Sequence, residues 1–578
     1  MPDYSFASIG VCRVTADGFS AFLTETETGD VQTLLLTLSA DAPTVPHDVR
    51  VMFETFVPDV FSAWSANYGD LTYPNADWGR MRVRSRSASG APILCLVAQN
   101  GENRLTASLS DASNACCLAV GVREETGLFS FELTFFTDLT TPLQTYTAEI
   151  RLDRRHIPLP DAVRDVRRGW EQTYPPCPVP ASAEEPLYSC WYSMHQQVTT
   201  DDILRQCTLA APYGMRTVIV DDGWQTEDNS RGYAYCGDWK LAKKKIPDMA
   251  ALADAVHALG MRFMIWYSVP FIGKYSENFE RFRGMYLANI DDLGCYTLDP
   301  RFPECRAFLC DTYLKAVRDW HLDGLKLDFI DSFTLTDTSS TDFDRMDYVS
   351  LEDAVQALLR EATETLRAEN PDFLIEFRHS YIGPVMRQFG NMMRVGDCPM
   401  AASRNRVGSL TMRMLCGSTP VHADMVMWHA EESAETAADQ LTAVLYCVPQ
   451  VSVRLETLPE RHRDMLSHYL RFWREHKAIL LGGTLTAEHP ESGYTRVTAE
   501  LDGEAVVTTY LPQSVSLRAL RRGTVVNASA HDALILDADG EVRYTVLDCT
   551  GKTVSEGTGT GLFRVPVPHS GMIQFQCE

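Results

Sequence analysis

The chain has 578 residues, too many for one compact core, so two to four domains are expected. Its 77 Asp and Glu outnumber 52 Lys and Arg, leaving a formal charge of −25, which argues against non-specific binding to nucleic acid or anionic membrane. The apolar share of 45% is ordinary for a folded protein, and no apolar run reaches the roughly 18 residues that cross a bilayer.

In chain order, the opening residues carry neither the basic head nor the apolar segment of a secretory signal. The first 170 or so residues read as sheet. Phe129, Phe131, Leu133 and Phe135 alternate, which puts four large side chains on one face of a strand. Val31 to Leu38 and Val49 to Phe56 are similar, and a β-sandwich is expected over residues 1–175. The run Tyr174 to Pro180, followed by Pro186, cannot continue a helix or a central strand, so it reads as a stiff linker.

From about Leu187 short apolar strands alternate with helices. Strands are expected near 188–193, 216–221, 262–267, 324–328, 373–377, 392–397, 420–424 and 444–453. A helix is expected after Asp248, with Leu252, Val256 and Leu259 on one face and Gly260 as its stop. This alternation fits a (β/α)8 barrel over residues 186–483. Residues 484–578 return to short alternating segments and read as a small C-terminal antiparallel β-domain. The 16 cysteines are dispersed, with no Cys-x-x-Cys pair; free buried thiols in a reducing cytoplasm are expected.

The polar residues at the strand ends carry the functional signal, because that rim of a barrel holds the active site. Asp221 and Asp222 end one strand, Lys326 and Asp328 another. Arg378 and His379 follow a third, Arg394 and Asp397 close a fourth, and His422 and Asp424 follow a fifth. Any one Asp could be a helix cap; the set converging on one rim points to chemistry. Paired carboxylates beside Trp191, Trp224, Trp239 and Trp266 fit glycoside cleavage, with aromatic faces available for a sugar, although each Trp alone reads more readily as core. Nucleotide-binding, zincin and α/β-hydrolase motifs are missing. His422, Asp424 and His429 match no standard metal spacing, so hydrogen-bonding roles are expected, with no metal and no cofactor.

The series Val218-Ile-Val-Asp-Asp-Gly-Trp224, Gly237-Asp-Trp239, Leu325-Lys-Leu-Asp328 and Arg394-x-x-Asp397 resembles glycoside hydrolase family 36, chiefly α-galactosidases. The resemblance runs over about 200 residues, and the flanking β-regions match the family's plan. It implies a retaining mechanism in which Asp328 is the nucleophile and Asp397 the general acid/base, the latter with a raised pKa. It also implies that Asp221 and Asp222 bind the sugar's O4 and O6, that Lys326 reaches O3 or O4, and that Arg394 lies near O2 and O3. Asp331 is a rival nucleophile by composition. The expected substrate is a small α-galactoside. The alternatives are an α-N-acetylgalactosaminide or acidic glycone, transfer to a sugar acceptor, and a non-catalytic carbohydrate-binding protein.

Three departures bear on the glycone. The family's Pro-Glu pair is replaced by Trp266-Tyr-Ser-Val-Pro-Phe-Ile-Gly273, its Cys-Ser-x-Gly-Gly segment by Phe377-Arg-His-Ser-Tyr-Ile-Gly383, and an arginine upstream of Leu298 has no counterpart. Arg378 could replace that arginine or read an anionic substituent. Trp64 and Trp78, in a loop-like stretch from Phe61 to Arg80, are candidates to reach a neighbouring subunit, since family members are often homo-oligomers.

Overall fold

A computed structural model describes residues 3–6, 9–68 and 73–578. The N-terminal region forms two six-stranded antiparallel sheets. The alternation read at Phe129–Phe135 is realised: Phe129, Phe131, Leu133 and Phe135 are buried. They join Leu34, Leu36 and Leu38 of the facing sheet in one core, so each sheet buries the apolar face that its period-two pattern supplies.

The middle of the chain builds eight parallel strands: β1 (Leu187–Ser189), β2 (Thr217–Val220), β3 (Arg262–Ser268), β4 (Gly324–Asp328), β5 (Leu374–Arg378), β6 (Met392–Arg394), β7 (Val421–His422) and β8 (Gln450–Val451). Each of β1 to β6 pairs with the next in that order, and β8 returns to β1. Single bridges, His422 with Val448 and Val426 with Val451, link β7 to the β8 side and close the ring. This is the expected barrel. The helix Met249–Ala258 starts where expected: the Asp248 carboxylate accepts from Ala251 N at 3.0 Å, satisfying one of the free amides of the first turn. Strands between Thr484 and Cys577 form the C-terminal region. It is not purely antiparallel, because the pairs 504–509 with 522–527 and 514–516 with 533–547 are parallel.

One element differs from the sequence reading. Residues expected to be sheet or linker form the helix Leu159–Thr173. Leu159, Val163, Val166 and Trp170 recur at helical spacing and bury one stripe in the barrel's core cluster. That cluster also takes Ile93, Cys95 and Val97 from the sandwich, so the helix lies between the two regions. The stretch after Phe61 also differs. Trp64 sits on the strand Ser62–Ser65, buried, and donates to the Tyr494 hydroxyl at 3.1 Å. Trp78 is exposed, and residues 69–72 of this stretch lie outside the described residues. Trp170→Ala, which also removes a 2.7 Å bond from Trp170 Nε1 to the Leu109 carbonyl, should cost about 3–5 kcal/mol. Urea unfolding measures this; a loss below about 1 kcal/mol would contradict the helix's docking role.

Candidate active site at the barrel rim

Strand β4 alternates, so Leu325 and Leu327 pack with the barrel core while Lys326 and Asp328 are buried polar groups. The Asp328 carboxylate is unequally loaded. Its Oδ1 accepts from Arg378 Nε at 2.7 Å, Tyr381 Oη at 2.9 Å and Phe329 N at 2.8 Å. Among the described residues its Oδ2 accepts only from Trp266 Nε1 at 3.1 Å, with Lys326 Nζ at 3.7 Å. Burial by itself would raise its pKa; the Arg378 guanidinium, then Lys326 and Arg394, outweigh burial and hold the carboxyl well below the ordinary range. Asp328 is therefore an ionised carboxylate with one oxygen saturated and the other lightly engaged. Asp331, the rival by composition, accepts from Ser380 Oγ at 3.1 Å and is raised by burial.

On β2 the Asp-Asp-Gly turn puts both carboxylates inside. Gly223 adopts φ +119°, and a Cβ there would come within 2.5 Å of Gln196 Cα, so only glycine fits. Asp221 accepts from Lys326 Nζ at 2.5 Å and from Asp222 N at 2.9 Å. Asp222 accepts from Gln196 at 2.7 Å and Gln225 at 2.6 Å, and burial pushes its pKa to about 6. Burial opposes the charge of Lys326, but the Asp221 carboxylate prevails and keeps its pKa raised.

Arg394, fully buried on β6, joins three carboxylates: Asp424, Asp397 at 2.8 Å and Glu376 at 3.5 Å. Asp424 also accepts from Tyr192 Oη at 2.8 Å and Cys398 N at 2.6 Å. The Asp397 side chain is 53% exposed, the most open carboxylate of the group. Its pKa corrects the expectation of a raised value. Partial desolvation pushes it up, but Arg394, then Lys326, pull harder and leave it below the ordinary range.

Other expected substrate contacts are occupied by the protein itself. Arg394 has its guanidinium on carboxylates rather than open to a sugar's O2 and O3. His422 is buried and bonds the Ala183 carbonyl at 2.7 Å, its pKa pushed to about 4 by burial. Asp424 is buried in the Arg394 network. Trp224 is buried and donates to the Trp266 carbonyl at 2.8 Å. Trp239 stacks on Trp224 with ring centres 6.0 Å apart. Trp266 braces Asp328 instead of offering a face. Arg378 is turned onto Asp328, with Nε donating to its Oδ1 at 2.7 Å and Nη1 to the His379 carbonyl at 2.9 Å. Trp191, packed edge-on to His195, is half-buried and the least buried of the four tryptophans. His379 packs on Tyr68 with ring centres 4.2 Å apart, and burial lowers its pKa to about 4. Among the described residues no group of three or more His, Cys, Asp or Glu could hold a metal ion.

Sequence reasoning misses Tyr381, Tyr192, Tyr68, Glu376, Gln196 and Gln225. Only Tyr381 has a local signal, its place two residues beyond His379 in the segment that departs from the family.

Comparison with known proteins agrees with this architecture. Residues 181–343 match the family model described as Melibiase. Alpha-galactosidase Mel36A of Lactobacillus acidophilus is 27% identical over 154 residues, 25% of this chain and 20% of that protein. The match thus spans a fifth of that relative's length. The galactosidase domain of the alpha-galactosidase-sucrose kinase AgaSK superposes over 97% of this chain and 80% of its own, with a TM-score of 0.67 at 14% identity. A single-site variant of the GH36 alpha-galactosidase AgaA of Geobacillus stearothermophilus, solved with 1-deoxygalactonojirimycin, covers 97% and 82% with a TM-score of 0.65 at 14% identity. The chain thus resembles the family 36 α-galactosidases: a Melibiase region spans the first half of its barrel, α-galactosidases are among its sequence relatives, and it shares the fold of family 36 enzymes.

Proposed function

We propose that this protein is a retaining, exo-acting α-galactosidase that removes terminal α-galactosyl residues from small galactosides. The observation that carries the reading is the unequal Asp328 carboxylate, ionised, with Oδ2 free enough to react, on the same rim as the half-exposed Asp397. In the first step Oδ2 forms a bond to the anomeric carbon while the glycosidic C–O bond breaks, and Asp397 gives its proton to the departing oxygen. Water then attacks the anomeric carbon, Asp397 takes its proton, and Asp328 leaves as carboxylate. The cations around Asp328 favour its departure from the ester, because they stabilise the charge that returns to it.

Asp397 rests ionised against Arg394, so the acid step needs a proton taken up on binding. A sugar over the site covers the exposed half of Asp397, and loss of water favours its neutral form. Galactose as the glycone rests on the relatives and on the paired Asp221 and Asp222 with Lys326. All sixteen cysteines are free, fourteen of them buried, and no helix among the described residues is long and apolar enough to cross a membrane. A reducing compartment, the cytoplasm, suits such a chain.

Asp328→Asn should lower kcat on an aryl α-galactoside by on the order of 10⁴-fold, with the fold retained by circular dichroism; activity within about tenfold of wild type would contradict the nucleophile assignment. The pH profile follows from Asp397. Acid catalysis needs its protonated form, and a lowered pKa moves loss of that proton to lower pH. So kcat/KM on a galactoside with a poor leaving group should already be falling with pH at about pH 4, the ordinary Asp value; a profile that stays flat to about pH 5 and falls only above it would contradict the Arg394 pairing in the free enzyme.

A further inference from the structure

Strand β6 stops pairing just before Asp397. Val395 N still donates to the His422 carbonyl at 3.0 Å, but among the described residues Gly396 N has no strand beside it. Its partner comes from the other end of the chain: the Tyr68 hydroxyl of the sandwich accepts it at 2.9 Å. On the far side of Asp397, Cys398 N donates to buried Asp424 at 2.6 Å. The two amides that flank Asp397 are therefore anchored separately, one by the barrel and one by the sandwich.

The Tyr68 ring is itself fixed from two directions. It packs on His379, and Gly408 leaves room for both this ring and Val395, since a Cβ there would lie 2.6 Å from Val395 Cγ1 and 3.0 Å from Tyr68 Cζ. Neighbouring sandwich residues hold the same rim. Gly90 N donates to the Ser380 carbonyl at 2.9 Å, Ser89 Oγ lies 3.0 Å from Ser380 Oγ, and Arg86 donates to the carbonyls of Phe333 and Asp331 at 2.5 and 2.7 Å. The sandwich thus touches the segments after β4, β5 and β6, and at β6 it bonds the residue next to Asp397.

We propose that Tyr68 is a positioning residue for Asp397, so that the sandwich sets the geometry of proton transfer to the leaving group. This rests on Asp397 being the acid/base of the proposed reaction. Positioning has kinetic weight because a proton donor must lie within hydrogen-bond reach of the oxygen it serves, and small displacements of a reacting group are costly in rate. The effect is selective by leaving group. A dinitrophenolate departs without a proton, whereas an alkoxide from a sugar or alkyl aglycone does not.

The test is Tyr68→Phe, which keeps the ring and removes the acceptor. The expected result is a fall of about tenfold in kcat/KM on a methyl or disaccharide α-galactoside, with kcat/KM on the dinitrophenyl α-galactoside held within about twofold. Amide hydrogen exchange in the peptide spanning residues 393–400 of Tyr68→Phe should quicken, a readout that needs no activity. Equal losses on both substrates mark a merely structural residue and overturn the proposal, as do unchanged rates on both or unchanged exchange. An active wild type with an unaltered Tyr68→Phe overturns this inference alone. A wild type inert on every α-glycoside overturns the functional reading and this inference with it.

Discussion

Three cations in the barrel mouth, buried Lys326 and Arg394 and half-buried Arg378, set the arrangement of everything around them. A buried charge is tolerated only when paired and hydrogen-bonded, and here the pairing is shared: Lys326 with Asp221, Arg378 with Asp328, Arg394 with Asp397, Asp424 and Glu376. Deleting one partner of such a set costs about 3–5 kcal/mol, because the others are left uncompensated. The network therefore fixes side-chain geometry at the rim as well as charge. It keeps Asp328 ionised, and it splits the two oxygens of that carboxylate into one held and one open. It also accounts for the resting state of Asp397, whose single strong partner is the least exposed arginine of the set.

How far the sequence reveals this depends on how far apart the partners lie. The eight barrel strands and the polar residues at their ends are legible, because strand alternation and burial act over a few neighbouring residues. The carboxylates proposed to carry the chemistry, Asp328 and Asp397, stand out for the same reason. The tryptophans mislead because an aromatic face is equally suited to a sugar or to another ring. Trp224, Trp239 and Trp266 spend theirs on one another and on Tyr267. Arg394 lies three residues before Asp397, so their pairing is within reach of a sequence reading, yet its consequence for the pKa depends on the loop turning the two side chains together. Tyr192 and Tyr68 meet Asp424 and Gly396 across 232 and 328 residues, and no local pattern announces a contact of that kind. The helix Leu159–Thr173 is the opposite case. Its stripe of Leu159, Val163, Val166 and Trp170 is readable, but the proline-rich surroundings draw the reading toward sheet and linker.

The departures from the family's motifs acquire a physical sense in the structure. The segment Phe377 to Gly383 replaces a small-residue loop with Arg378 and Tyr381, and both converge on Asp328 Oδ1. In the fold, this departure bears on how the proposed nucleophile is braced. Arg378 also lies over the rings of Phe329 and Tyr381, with its guanidinium 5.2 and 5.5 Å from their centres. It is thus held by stacking as well as by charge, and little of it is left to read a sugar substituent.

The central claim is that Asp328, through the oxygen the network leaves open, forms a covalent bond to the sugar. Its most direct test is peptide mass spectrometry after incubation with a fluorinated α-galactosyl donor that forms the glycosyl-enzyme faster than it is hydrolysed. The account predicts a single galactosyl-derived adduct on Asp328. An adduct on Asp331 or Asp397, or turnover of the donor with no covalent species at any time, would contradict it.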